Sequence, residues 1–258
     1  MFINLIQTNL TTSVLGKIIE HYTWTESTNE DAWDLIGDGA TEGTIVIADK
    51  QTAGKGRGGR KWISVPGKSI TASLIIKPGI DSRLSGWFPL LTGVAIVKAF
   101  AELGLDVNLK WPNDIMVNNK KLGGILCESR VQGKVLEWVV MGMGLNINEQ
   151  ENELPPELQA TSFFMEKSSS IQRELVLAKI MNYIEPLHVE LTENKYPSRL
   201  MDLWTEYCNH VNKKVKFEVE NETQTGEFMG IDTDGAAIIK INGNEKIFTS
   251  GDMHIIKS

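Results

Sequence analysis

The chain has 258 residues, enough for one large domain or a large and a small one. Hydrophobic residues make up 41% and charged residues 23%, the balance of an ordinary globular fold, and the formal charge of −7 speaks against wholesale nucleic-acid binding. No apolar run reaches membrane-spanning length, and the N-terminus lacks the basic start and cleavage site of a signal peptide. The two cysteines, Cys127 and Cys208, lie far apart without metal spacing. They read as small buried hydrophobes in a reduced, cytoplasmic setting.

In chain order, residues 1–26 hold one modest strand, Ile18 to Trp24. Ser27-Thr-Asn-Glu30 fits a capping box with Glu30 at the third helical position, and a helix through Ala32, Trp33, Leu35 and Ile36 ends at Gly37. The cap explains Ser27 and Thr28 structurally, and a helix N-terminus also presents N–H groups to a ligand. Strands at 44–50 and 69–76 follow. Residues 83–104 form a largely buried helix ending at Gly104. Asn108 to Asn146 is a run of hairpins, with Lys110, Asp114 and Lys121 near strand ends, where they could face one pocket. Asp114 alone would more often be a turn residue than a metal ligand. Gly123-Gly124 inside a strand suggests close approach by a ligand or another backbone. Residues 149–170 read as a loop, and 171–192 and 197–209 as helices. From about Asn212, short strands and Gly/Asn turns predict a five-stranded barrel.

The segment between the strands at 44–50 and 69–76 is the densest signal. Gln51 to Trp62 packs four glycines, four cations and a tryptophan into twelve positions. Gly54, Gly56, Gly58 and Gly59 let the backbone take positive φ or approach a ligand closely. Successive N–H groups in such a loop can cradle an anion, and Lys55, Arg57, Arg60 and Lys61 add cationic donors. Gly54, Gly56 and Gly59 match G-x-G-x-x-G, but a strand follows the loop where a dinucleotide site needs a helix. Position 62 is Trp where a Walker loop needs its first glycine. The loop reads as a cover for a small anionic ligand; the alternative is a solvated basic loop.

Five motifs together resemble the biotin–protein ligase (biotin–[acetyl-CoA-carboxylase] ligase) family: Ser27-Thr-Asn29, the loop Gln51 to Trp62, Lys110-Trp-Pro-Asn-Asp114, Lys121-Leu-Gly-Gly-Ile-Leu126 and Gly142-Met-Gly-Leu-Asn-Ile147. The resemblance covers about residues 20–258. It implies an α+β fold, a mixed and antiparallel sheet with helices packed on it, similar to class II aminoacyl-tRNA synthetases. A ligase domain would span 1–210, and a small SH3-like β-barrel 211–258. It implies that biotin is activated with ATP and Mg²⁺ to biotinyl-5′-AMP and passed to one lysine of a carboxylase's biotin carboxyl carrier domain.

By the same resemblance, Ser27, Thr28, Asn29 and Gln51 bind the ureido ring. Lys55, Gly56 and Arg57 close on biotin, with Gly124 nearby, and Lys121 contacts the biotin carboxylate and the α-phosphate. Arg57, Arg60, Trp62, Lys110, Asn113, Lys121 and Asn146 address ATP. Lys121, Arg57 and Asp114 form the catalytic set, Asp114 orienting either the metal or the acceptor lysine. Lys55 departs from the family's usual arginine, keeping the charge and losing the bidentate fork. Too few residues precede the first strand for the DNA-binding module of some bacterial members, so no DNA partner and no membrane partner are expected. A homodimer through an edge strand stays open. Lipoate–protein ligase is the nearest alternative, and a non-catalytic biotin-binding protein the alternative from another class.

Overall fold

The computed structural model describes residues 1–193, 197–219 and 222–256. In chain order it contains α1 (Ile3–Asn9), β1 (Ile19–Tyr22), α2 (Thr28–Gly37), β2 (Ile45–Ala48), β3 (Ile70–Ile76), β4 (Ile80–Asp81) and α3 (Trp87–Glu102). Then come β5 (Asn108–Lys110), β6 (Asp114–Val117), β7 (Lys120–Gln132), β8 (Val135–Leu145), α4 (Phe163–Lys167), α5 (Arg173–Glu193) and α6 (Ser198–Tyr207). The chain closes with β9 (Lys213–Val219), β10 (Glu222–Ile231), β11 (Ala237–Ile241), β12 (Asn244–Phe248) and β13 (Asp252–Ile255).

Strands β1 to β8 form one mixed sheet in the order β1-β2-β3-β8-β7-β6-β5, with β4 paired to β8; β1 and β2 run parallel, the other pairs antiparallel. Alternation assigns its two faces. Ile45, Ile47, Leu74 and Ile76 join the main core with α3 and α5, whereas Val46, Ile75 and Val140 pack under Ala32 and Ile36 of α2. Covered on both sides, β3 is buried at every residue.

Helix α3 carries twelve buried residues and lies in the core. The segment Ser82–Glu102 is long and apolar enough to cross a membrane by length and composition, which corrects the reading that no run reaches that length. In this fold 67% of that window is buried against the rest of the protein.

Other local readings also shift. α1 was not expected; it is a short helix with one buried residue, Ile6, set against α5. α4 and two 3₁₀ turns (Glu151–Glu153 and Pro156–Leu158) occupy part of the expected 149–170 loop. The capping box does not form: Ser27 makes no side-chain cap bond, and Glu30 instead pairs with Lys55.

The terminal strands form an antiparallel sheet in the order β12-β11-β10-β9-β13. Its fifth strand is Asp252–Ile255, and among the described residues no pairing of β12 with β13 closes it into a barrel. Asn242 (φ 50°) and Gly243 (φ 85°) turn β11 into β12, both in the left-handed region that such tight hairpins require. Two buried indoles fix this unit to the first: Trp87 Nε1 donates to the Thr233 carbonyl at 2.8 Å and Trp111 Nε1 to the Gly235 carbonyl at 3.3 Å.

Candidate active site

A cavity of about 790 Å³ opens over the large sheet, and every residue singled out from the sequence as a site candidate lines it. Its floor is two cross-strand rows. One runs Lys110, Asp114, Gly124, Gly144 and Thr71 across β5, β6, β7, β8 and β3. The other, two residues along, runs Leu126, Gly142 and Ser73. Glycine is needed at the centre of both rows. A Cβ on Gly144 would lie 2.4 Å from the Trp62 indole, and one on Gly142 2.3 Å from Asn29 Oδ1. Gly123 answers to its neighbours, since a Cβ there would meet Leu145 and the Gly144 carbonyl.

The Gly142 end is polar, buried and uncharged apart from one carboxylate. Thr28 N–H donates to Gln51 Oε1 at 2.9 Å, and Thr28 Oγ1 lies 2.7 Å from Ser73 Oγ. Ser73 Oγ is 2.6 Å from Asn29 Oδ1, and Asn29 Nδ2 donates to Glu128 Oε2 at 2.7 Å. Ser27, Thr28 and Asn29 are all buried at the start of α2. Ser73 and Glu128 were missed in the sequence. Ser73 had one signal, a small polar residue, with Thr71, inside a largely apolar strand.

The Gly144 end is cationic. Asp114 sits between Lys110 Nζ (2.7 Å) and Lys121 Nζ (2.5 Å). Burial pushes the Asp114 carboxyl up, but the Lys121 and Lys110 ammoniums outweigh it and hold it below its ordinary range. Strict alternation from Gly124 would place Lys121 on the opposite face, with the core. A register shift between Ile115 and Met116 restores it, so that Lys121 Cε and Nζ lie 3.3 Å from the Cβ position of Gly124. Asn113 is committed to the frame: its Nδ2 donates to the Ile125 carbonyl at 2.7 Å, and its own carbonyl accepts from Ile125 N–H.

The glycine loop joins β2 to β3, as expected, and arches over this end. Positive φ occurs only at Gly58 and Gly59; Gly54 is instead a close approach, since a Cβ there would meet the Trp62 carbonyl at 2.7 Å and Gln51 Nε2 at 2.8 Å. Gly56 N–H donates to the Arg60 carbonyl (2.7 Å), Arg60 Nε to the Arg57 carbonyl (3.0 Å), and Arg57 Nη1 to the Gly251 carbonyl in the terminal unit (3.4 Å). His254 and Ile255 of β13 reach the same cavity, a contribution that the sequence did not announce. Trp62 Nε1 and Asn146 Oδ1 are buried without a protein partner, while Asn146 Nδ2 donates to the Thr161 carbonyl at 2.9 Å. They offer one donor and one acceptor to a ligand.

Among the described residues no group of three or more His, Cys, Asp or Glu side chains gathers as a metal cage. Asp114, already held by two ammoniums, makes a poor sole ligand. Neither cysteine is activated: burial raises the Cys127 thiol, and pushes Cys208 up to about 12.

The model of the biotin/lipoate A/B protein ligase family matches residues 22–146, and that of the biotin protein ligase C terminal domain residues 210–255. The bifunctional ligase/repressor BirA of Bacillus subtilis is 34% identical over 97% of this chain and 78% of its own length. The biotin–[acetyl-CoA-carboxylase] ligase of Mycobacterium tuberculosis is 28% identical over 89% of this chain and 85% of its own. Among solved structures, the biotin protein ligase of Aquifex aeolicus in complex with biotin and ATP superposes with a TM-score of 0.78 at 27% identity, covering 94% of this chain and all of that one.

Proposed function

The chain belongs to the biotin protein ligase family, and from that membership we propose the reaction its own cavity performs: ATP-dependent activation of biotin to biotinyl-5′-AMP, then transfer of biotin to a lysine of a biotin carboxyl carrier domain. The observation that carries it is the division of one cavity into an uncharged hydrogen-bonding end and a cationic end. The first suits a cyclic urea, which brings N–H donors and a carbonyl acceptor. The second suits a carboxylate meeting a triphosphate.

In the first step a biotin carboxylate oxygen attacks the α-phosphorus, the bond from that phosphorus to the bridging oxygen breaks, and pyrophosphate leaves. Two anions must be brought together in line, which needs fixed positive charge. Lys121, Arg57 and Arg60 supply it, with Lys110 holding Asp114 beside Lys121. Trp62 and Asn146 face the nucleotide, where Asn146 Oδ1 accepts from an adenine amine. Mg²⁺ bound with ATP would shield the phosphate charge; Asp114 and Glu157 are the carboxylates that line the cavity, and Asp114, already held by Lys110 and Lys121, would hold the ion only weakly. In the second step the carrier lysine's amine attacks the acyl carbon and AMP leaves. No covalent enzyme intermediate is required, which agrees with two unactivated thiols.

Asp114, with its lowered carboxyl, holds the charge needed to draw in the acceptor ammonium, which attacks once it has lost a proton to become the free amine. The net charge of −7 gives these 258 residues no general attraction for DNA, and the two free cysteines suit a cytoplasmic setting.

Exchange of labelled pyrophosphate into ATP tests the reading, with biotin and lipoate in parallel. Exchange with biotin alone is expected. Exchange with lipoate alone moves the chain to the sister activity, and tight biotin binding without exchange leaves a binding protein.

A further inference from the structure

We propose that Glu128, which does not line the cavity, is the positioning residue that sets the donor and acceptor pattern of the ring end; this rests on the biotin reading above. The Asn29 carboxamide bridges the floor over Gly142, from β3 to β7. Its Nδ2 faces Glu128 Oε2 at 2.7 Å and the Leu126 carbonyl at 3.3 Å. Both are acceptors, so the amide nitrogen must point to β7 and Oδ1 to β3.

The remaining hydrogens follow by elimination. Asn29 Oδ1 cannot donate, so the single hydroxyl hydrogen of Ser73, 2.6 Å away, is committed to it. Toward Thr28 Oγ1 at 2.7 Å, Ser73 can then only accept, so the single Thr28 hydrogen goes to Ser73 Oγ or to Gln51 Oε1, 3.1 Å away, and in either case stays within the protein. Thr28 Oγ1 is left with lone pairs alone to offer the cavity. Gln51 Oε1 is held by Thr28 N–H, so Gln51 turns its amide nitrogen, a donor, to the ligand. An acceptor at Thr28 and donors at Gln51 complement the N–H and C=O of a cyclic urea.

Without the carboxylate only the longer contact to the Leu126 carbonyl, 3.3 Å, still holds the Asn29 amide, which can then turn over because its nitrogen and oxygen are nearly the same size. The relay then reverses: Asn29 donates to Ser73, Ser73 donates to Thr28 Oγ1, and Thr28 turns its own hydrogen to Gln51 Oε1, so that a Thr28 lone pair is spent on Ser73 instead of being offered to the ring N–H. Glu128 thus acts through Asn29, Ser73 and Thr28 and touches no ligand.

The test uses the full chain with Glu128→Met, which removes the acceptor at similar length, and Glu128→Gln, which keeps an acceptor oxygen. Calorimetry gives Kd for biotin and for a cyclic carbamate analogue with one ring N–H replaced by oxygen; the KM for ATP and the melting temperature report integrity. Glu128→Met should weaken biotin about tenfold, the equivalent of one hydrogen bond, and shrink the preference for biotin over the carbamate. Its kcat at saturating biotin should stay within about twofold of wild type, because the lost contact is made equally in the ground and transition states. Glu128→Gln should recover most of the affinity. An unchanged biotin Kd in Glu128→Met, or equal weakening of both ligands with the preference intact, overturns the proposal. Ser73→Ala cuts the same relay from another strand and should also lose the preference; should Glu128→Met not fold, an intact preference in Ser73→Ala is decisive against it. A wild-type protein that binds no biotin overturns the ligase reading itself, whereas wild-type binding with indifferent variants overturns only the relay.

Discussion

Replacing Lys121 by alanine isolates the charge at the reacting centre. The Lys121 side chain is 34% exposed and its ammonium lies 2.5 Å from Asp114, which keeps its second partner, Lys110, at 2.7 Å. The fold therefore tolerates the loss without stranding a buried charge. Two unit charges about 4 Å apart interact by about 4 kcal/mol at an effective dielectric of about 20, and partial exposure of Lys121 lowers that figure. Removing one preorganised donor from a developing anion costs about 3 kcal/mol, or about 10²–10³ in rate. Lys121→Ala should slow adenylate formation by that factor while weakening biotin by less than about tenfold, because its charge acts mainly on the pentavalent phosphorus. Rapid-quench measurement of adenylate in a single turnover gives the first quantity and calorimetry the second. Equal losses in both would mean uniform binding and refute a transition-state role.

Arg57→Gly cuts the link from the loop to the Gly251 carbonyl and frees the Gly58-Gly59 turn; adenylate should leave the enzyme at least about tenfold faster by filter-binding chase, and wild-type release would sink the closed-loop picture. Gly142→Ala drives a methyl to within 2.3 Å of Asn29 Oδ1, so biotin affinity should fall about tenfold or more, with the ATP KM little changed. Glu149 is fully buried, with Oε1 bound by Ser69 Oγ and Oε2 unpartnered; burial raises its carboxyl above the ordinary 4.5. The folded state then holds this proton more tightly than the unfolded chain, so stability declines as pH rises from 4.5 through the raised folded value. Glu149→Gln should flatten that decline and raise stability at neutral pH in urea melts. Parallel pH profiles for the two proteins would contradict this.

The parts of the site that were legible in the sequence are those whose chemistry is local. The loop Gln51 to Trp62 announces its cations and glycines within twelve positions, and Lys110 and Asp114 keep their relation because a single tight turn joins β5 to β6. What stayed hidden depends on partners far along the chain. The capping box at Ser27 obeys a local rule, but Gln51 takes the Thr28 N–H from 23 residues away and Lys55 takes Glu30. Glu128 and Ser73 look like ordinary strand residues until β3, β8 and β7 stand side by side. The bulge that turns Lys121 to the cavity leaves no mark in the hydrophobic alternation. Nor could spacing show that His254 and the Gly251 carbonyl, nearly 200 residues past the loop, complete the wall beside Arg57.

On the proposed reading, the motif Gly142-Met-Gly144 spaces ring recognition from phosphoryl chemistry. Two residues of β8 point to the same face about 7 Å apart. Gly142 clears space for Asn29 and so belongs to the hydrogen-bonding end; Gly144 clears space for Trp62 and belongs to the cationic end. Met143, between them, points into the core. The same strand would therefore set the separation between the two ends of the cavity, and it does so with backbone paired on both sides. A loop could not hold that spacing, because its position would drift with every ligand-dependent movement. On the proposed reading, the distance that decides whether a bound acid can reach the α-phosphorus is set by a strand in the middle of the sheet.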